Sequence, residues 1–495
     1  MSVKVALASA LVLAAGSLVL AGSASAQSSG IIKVSDVIEA ASNQYTGGVS
    51  AARCGSNIVV GFGDAESNGP RSAAGYSVSL NNGASFTDGG VLPVSADTSG
   101  GWGPDQLGID LGFQGSDAYP AANTPSVTCA NSSLFYYASV YTGRSNPHSI
   151  RGCSGGPICS AITLSISQNG GVTWALPTLV AIASGDVHDL VFPSMAVDPS
   201  NLQRLYVAYV VSNCCGPIDW VAPCLPSYVL RLASSMDAGT TWADNVVDYA
   251  CIDGDQSAER NGEIMAPSIA VGSDGKVYVA YEFIPLGSPG QVNEIRFSRS
   301  LDHGHTFSAP LHVSAALGNT RPKLAVDRTH SPHRGEIYLT WSGQPAGTYT
   351  DVLFSDSLNA GLSFSFPRPV SPAPSAGSGR FQANPVVAVD NDGQVSACFY
   401  NTPSNKPISS STYSYNCATS FNHAATWHTR RVISSAPVGY DALTTDFLTQ
   451  HDGFFTAFEV QANGQRHVVG QKSDIDFEAQ ANEQRHEVDQ KSDID

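Results

Sequence analysis

Positive charge is scarce in this chain of 495 residues. It holds only seven Lys, carries a formal net charge of −17, and is 14% charged residues in all. That balance argues against nucleic acid and anionic membrane surfaces as partners. Among its ten Cys there is no CxxC pair. This argues against Cys-ligated metal and fits disulfides formed in an oxidising compartment. Beyond the first 26 residues no apolar run is long enough to span a membrane, and no stretch reads as a long amphipathic helix. A helical bundle or a multi-helix membrane fold is not expected.

What the chain does have is a turn motif written six times. Copies begin at Ser79 (SLNNGASF), Ser167 (SQNGGVTW), Ser235 (SMDAGTTW), Ser300 (SLDHGHTF), Ser357 (SLNAGLSF) and Ser420 (SFNHAATW). The pattern is Ser-x-Asp/Asn-x-Gly-x-Thr/Ser-aromatic. The Asp or Asn (Asn81, Asn169, Asp237, Asp302, Asn359, Asn422) can accept hydrogen bonds from its own turn. The Gly supplies positive φ, Ala424 being the one exception. The closing Phe or Trp can pack beneath a sheet. Six matches in register predict an array of repeats.

A larger unit surrounds each motif. A buried strand such as PSMAVD, PSIAVG, PKLAVD or PVVAVD comes first, then a tight turn and an alternating strand such as RLYVAYV or KVYVAYE. A third strand leads into the motif and a fourth leaves it. Four antiparallel strands per unit make the blade of an all-β propeller. Seven blades are expected. The last would take three strands from 442–474 and its outer strand from Ile31–Ser35 at the other end of the chain, which would leave no open sheet edge. Six blades with an irregular C-terminal piece is the alternative.

The ends read differently. Residues 1–26, with Lys4, an apolar stretch Val5–Gly22 and Ala24-Ser25-Ala26 before Gln27, read as a signal peptide; an uncleaved anchor is the alternative. The propeller occupies 27–476. Residues 477–495 duplicate 458–476, but Glu487 stands where the first copy has Val468, and the apolar face is lost. This second copy is expected to be a disordered tail. The protein is expected to be secreted, extracellular or periplasmic, and monomeric. Cys398 and Cys417 fall on adjacent strands of the sixth blade, where a hairpin can face them. Cys153 with Cys159, and Cys214 or Cys215 with Cys224, would each staple a loop. Cys54, Cys129 and Cys251 have no assignment from the sequence.

The turn motifs are expected to be structural. Function in such a ring belongs to the opposite face, where the long connections 96–124, 142–161, 212–228, 253–266 and 284–293 emerge. The motif-bearing secreted propeller resembles the sialidase (neuraminidase) superfamily, whose members are also described as BNR or Asp-box repeat proteins. Tyr440-Asp441-Ala442-Leu443, followed by Asp452-Gly453 and Phe458-Glu459, matches the outline of that family's nucleophile segment. Phe62-Gly63-Asp64-Ala65-Glu66 before Arg71 is similar to its first blade. The family's Phe/Tyr-Arg-Ile-Pro signature has no counterpart here; Arg53 stands nearby, next to Cys54.

The resemblance implies a glycoside hydrolase acting on glycan ends. Tyr440 would be the nucleophile, Glu263 its base, Asp64 (or Glu66 or a residue of 96–124) the acid, and Arg71, Arg260, Arg321 and Arg380 a carboxylate clamp. Each residue also has a plainer reading: arginines paired with loop acids, a packing tyrosine, solvated carboxylates. The alternative function is a non-catalytic propeller that binds glycans or proteins through its loops and aromatics such as Trp102, Tyr119 and Trp220. No cofactor and no metal is assigned. The Gly-rich loop with Asp97, Asp105, Asp110 and Asp117 is where calcium would bind, though its spacing matches no EF-hand. His303, His305, His330 and His333 lie on short turns of blades four and five. They read as exposed polar turns, with zinc as the alternative.

Overall fold

The computed structural model describes residues 31–33, 49–65, 72–93, 125–142, 160–182, 188–213, 226–251, 260–286, 292–316, 318, 320–344, 350–371, 381–402, 412–437, 445–450, 453–462 and 465–473. Every regular element among them is a strand, and the strands form four-stranded antiparallel sheets of a β-propeller. Six sheets are blades of consecutive strands, each carrying one copy of the turn motif. Blade four shows the plan: Gly262–Val271, Val277–Pro285, Glu294–Ser300 and Leu311–Ala315, paired in that order. Counting motif-bearing units therefore gives six.

One further sheet is made differently. Thr445–Gln450, Gly453–Ala462 and Gln465–Ser473 pair in sequence, and Ile31–Lys33 completes them, with Ile31 opposite Gln471 and Lys33 opposite Val469. Its first strand lies against the first strands of both blade six and blade one. It has no motif because its third and fourth strands come from opposite chain ends, so no turn joins them.

The first strands of the six blades line the axis: Val49–Cys54, Ser126–Cys129, His188–Val197, Gly262–Val271, Thr320–Val326 and Phe381–Val389. Four are interrupted by a bulge at an X-Pro step. Phe192, Ala266, Arg321 and Asn384 precede Pro193, Pro267, Pro322 and Pro385, and all four have φ between 48 and 57°. A residue before Pro avoids the helical region, and a non-Gly residue rarely turns left-handed. The bulge compensates by freeing backbone groups for the next blade.

Serine hydroxyls take up that role. The amides of Val127, Met195, Ile269 and Leu324 donate to Ser50, Ser126, Ser194 and Ser268 of the preceding blade, at 3.0, 2.8, 3.2 and 3.0 Å. Apolar packing joins the blades as well, as where Tyr281 and Phe283 of blade four pack with Phe192 and Leu230 of blade three.

The motif works as the sequence predicts, between the third and fourth strands. In each copy the Ser hydroxyl donates to the Asx Oδ1 at 2.7–3.0 Å. The fifth residue's amide donates to that Ser at 2.8–2.9 Å. Asx Oδ1 also accepts from the seventh residue's amide at 2.8–3.0 Å. One feature escaped the pattern. The fourth position (Asn82, Gly170, Ala238, His303, Ala360, His423) is left-handed too, so each turn holds two consecutive residues of positive φ.

Two disulfides join described cysteines. Cys398–Cys417 spans the facing strands of blade six as expected, and Cys54–Cys129 ties blade one to blade two. Cys251 is disulfide-bonded as well. No helix among the described residues is long and apolar enough to cross a membrane. The leader 1–26, the tail 477–495 and Cys153, Cys159, Cys214, Cys215 and Cys224 lie outside the described residues.

Candidate functional site

The axial channel is divided. Met195, Ile269, Leu324 and Val387, each at least 92% buried, line both a cavity of about 290 Å³ and a second one of about 580 Å³ beyond it. These four apolar side chains form a girdle across the axis. The smaller cavity includes the X-Pro bulges, which fall early in each inner strand, in the half nearer the long connections. Among the described residues its wall is mostly Pro, Ser and aliphatic, and the charged ones are Arg321 and Lys323. A chain of net charge −17 thus gathers two cations at one apolar mouth.

Arg321 is held from two sides. Its Nη1 donates to Asn384 Oδ1 at 3.0 Å, and its backbone amide donates to Glu282 Oε2 at 3.2 Å. Asn293 Nδ2 donates to the other Glu282 oxygen at 2.9 Å. Glu282 is 5% exposed. Burial pushes its carboxyl up to about 7; hydrogen bonding and charge from Arg321 and Asn293 oppose this, and Glu263 adds to it. A buried carboxyl raised toward neutrality beside an arginine and a second carboxylate is the arrangement acid–base sites use.

The same geometry has a scaffold counterpart one blade on. There Ser342 Oγ accepts the amide of Asn384, the next left-handed residue before Pro. Glu282 therefore stands in the place of an inter-blade acceptor, and its carboxylate fixes the backbone that carries Arg321. The sequence signal was available. KVYVAYE ends in an acid where the matching strands have Val210, Ser342 and Tyr400.

The predicted residues separate into three groups. Arg321 lines the cavity, and Glu263 lies half-buried on the neighbouring strand, within electrostatic reach of Glu282. Arg260 is committed elsewhere. Its Nη1 bonds Asp248 Oδ1 and the Tyr249 carbonyl, both at 3.0 Å, and its guanidinium lies 3.8 Å from the Tyr249 ring centre. Asp248, 3% exposed, also accepts from the Tyr281 hydroxyl at 2.7 Å, so this cluster braces blade three against blade four. Arg71, Arg380, Tyr440 and Glu66 lie outside the described residues, as does the loop 96–117; Asp64 sits in a strand whose side chains there are likewise outside them. Arg53 lines the larger cavity, past the girdle, so it does not join Arg321. The sequence reading missed Lys323, Asn384 and Asn293.

No protein-family model matches the chain, and no curated protein does. Solved structures resemble it at low identity. The Hadza microbial sialidase Hz136 is 14% identical over 81% of this chain and 73% of its own, with a TM-score of 0.44. The α-L-arabinofuranosidase Arb93A from Fusarium graminearum is 12% identical over 72% and 93%, with a TM-score of 0.43. A polysaccharide lyase, an ulvan lyase, is 10% identical over 89% and 93%, with a TM-score of 0.49. At these values the likeness carries no argument about chemistry, which has to come from the site.

Proposed function

We propose that this chain is a secreted, sialidase-like glycoside hydrolase that takes the acidic end of a glycan into the axial cavity. The observation that carries the reading is the pair Arg321 and Lys323 at a cavity with no described carboxylate in its lining. An arginine preset by Asn384 and by the Glu282 brace can meet a sugar carboxylate in fork geometry. In a low-dielectric mouth, local cations outweigh distant carboxylates that salt screens. Tyr440 would act as nucleophile with Glu263 as its base, Asp64 would supply the proton, and Arg71 and Arg380 would extend the clamp, Arg260 being taken up by Asp248 and Tyr249.

One observation favours a second reading, a propeller that binds acidic glycans without hydrolysing them. Both oxygens of Glu282 are engaged and the group is 5% exposed, so it positions Arg321 rather than transferring a proton. A panel of fluorogenic glycosides with and without a carboxylate, run beside a glycan array, tests both. Hydrolysis of carboxylated substrates, falling at least about a hundredfold in Arg321→Met and in Tyr440→Phe, supports the enzyme. Retained binding with no turnover supports the second reading. Equal action on neutral and acidic sugars, untouched by Arg321→Met, overturns the cavity as the site.

A further inference from the structure

We infer a divalent transition-metal site, zinc in the first instance, between blades five and six on the turn-motif face, formed by His333, Glu336 and His423. One candidate ligand atom from each lies within 4.8 Å of the others. Ligands at ~2.0–2.2 Å from a tetrahedral zinc stand roughly 3.3–3.6 Å apart, so side-chain torsions alone can close the set. Two imidazoles and one carboxylate are a borderline-soft donor set suited to zinc rather than calcium or magnesium.

Local geometry supports this. His333 Nδ1 lies 2.5 Å from Glu336 Oε1, and an ion would displace the proton shared there. The rings of His333 and His423 stack at 3.3 Å between centres, and His423 Nδ1 is buried with no hydrogen-bond partner. The other Glu336 oxygen accepts from the Tyr338 hydroxyl at 2.9 Å, the kind of outer contact that orients a ligating carboxylate. With three protein ligands a fourth position stays open to water, as in metal sites that do chemistry or dock a ligand.

The repeat supplies its own control. His303 occupies in blade four the turn position that His423 occupies in blade six, and both are left-handed. The residue before the second strand of the preceding blade is Glu336 beside His423, but Arg204 beside His303. Arg204 Nη1 lies 3.3 Å from His303 Nδ1, so a fixed cation stands where an ion would sit. One scaffold thus presents the same histidine to a carboxylate and to a guanidinium, and only the first arrangement attracts a metal.

The full chain, stripped with chelator and dialysed, is titrated with ZnCl₂ by calorimetry and with Co²⁺ by visible absorption. One equivalent should bind, with cobalt bands of tetrahedral type and a raised thermal midpoint. His423→Ala and Glu336→Gln should each weaken binding at least about tenfold. The scaffold already accepts both changes, since Ala238, Ala360 and Gln394 stand at the matching positions. His303→Ala should leave binding unchanged. Absence of zinc binding to the parent chain overturns the site. So does binding that survives both His423→Ala and Glu336→Gln, or that is lost in His303→Ala.

Discussion

Replacing Ser268 by Ala deletes one hydroxyl and tests whether the inter-blade serines hold the ring together. Ser268 is 6% exposed, and its Oγ accepts the amide of Leu324, itself 8% exposed, at 3.0 Å. Alanine leaves that amide buried without a partner, at a cost of ~1–3 kcal/mol. Lost packing adds little, since no methylene is removed. Urea unfolding followed by tryptophan fluorescence reads the change as a lower midpoint at constant slope. Ser133→Ala, at an exposed turn residue, is the control and should stay within about 0.5 kcal/mol of the parent. Ser126 and Ser268 bond different amides in different blade junctions, so their double mutant should sum to within roughly 0.5 kcal/mol. A Ser268→Ala protein as stable as Ser133→Ala would refute the reasoning, because the ring would then satisfy its bulges by some other route.

Other outcomes follow from the same fold. Glu282 has its carboxyl raised from 4.5 to about 7, so the folded state holds a proton that the unfolded chain releases, and stability falls as pH rises through that window. Glu282→Gln should remove that fall, worth roughly 3 kcal/mol at most, as seen in parallel melts between pH 4 and 8; matching slopes for both proteins would refute it. Asp237, held down at about 2 chiefly by Thr241, contributes stability above pH 3.8 that is lost as pH drops toward 2. Asp237→Ala should lower the melting midpoint at neutral pH, narrow its acid dependence and leave ligand binding alone; altered binding at unchanged stability would make the motif functional. Opening Cys54–Cys129, which closes a 75-residue separation, should cost up to about 4 kcal/mol. Opening Cys398–Cys417, at 19, should cost nearer 3, a ranking that denaturation of Cys-to-Ala pairs can check.

The propeller was legible because its signals are local. Alternating Val, Tyr and Ala in KVYVAYE and the Ser-x-Asp-x-Gly turn act within ten residues, so the sequence carries them whole. The pairing of Ile31–Lys33 with the C-terminal strands was also readable, since a missing strand at one end matched a spare one at the other. The serine ring was visible only as letters. Pro193-Ser194 and Pro267-Ser268 recur in plain sight, but their hydroxyls bond an amide 75 or 56 residues away, and only the ring's geometry supplies that partner. The site was the least readable for the same reason. Arg321 could be nominated, whereas its support by Glu282 and Asn384 spans three blades. Arg260 looked equivalent on its loop until Asp248 and Tyr249 claimed it.

The sheet built from both chain ends sets a clock. Its outer strand, Ile31–Lys33, is synthesised before all six blades, yet its partner Gln465–Ser473 is synthesised after them. Six blades can form in order behind the growing chain, each from its own consecutive strands, while the first strand waits. The final pairing joins residues 440 positions apart (Ile31 with Gln471), the slowest kind of contact to make by chain search. Until it forms, the third strand of that sheet offers an unpaired edge to any neighbour. Synthesis and closure are therefore linked in time: Gln465–Ser473 must be made before Ile31–Lys33 can be locked.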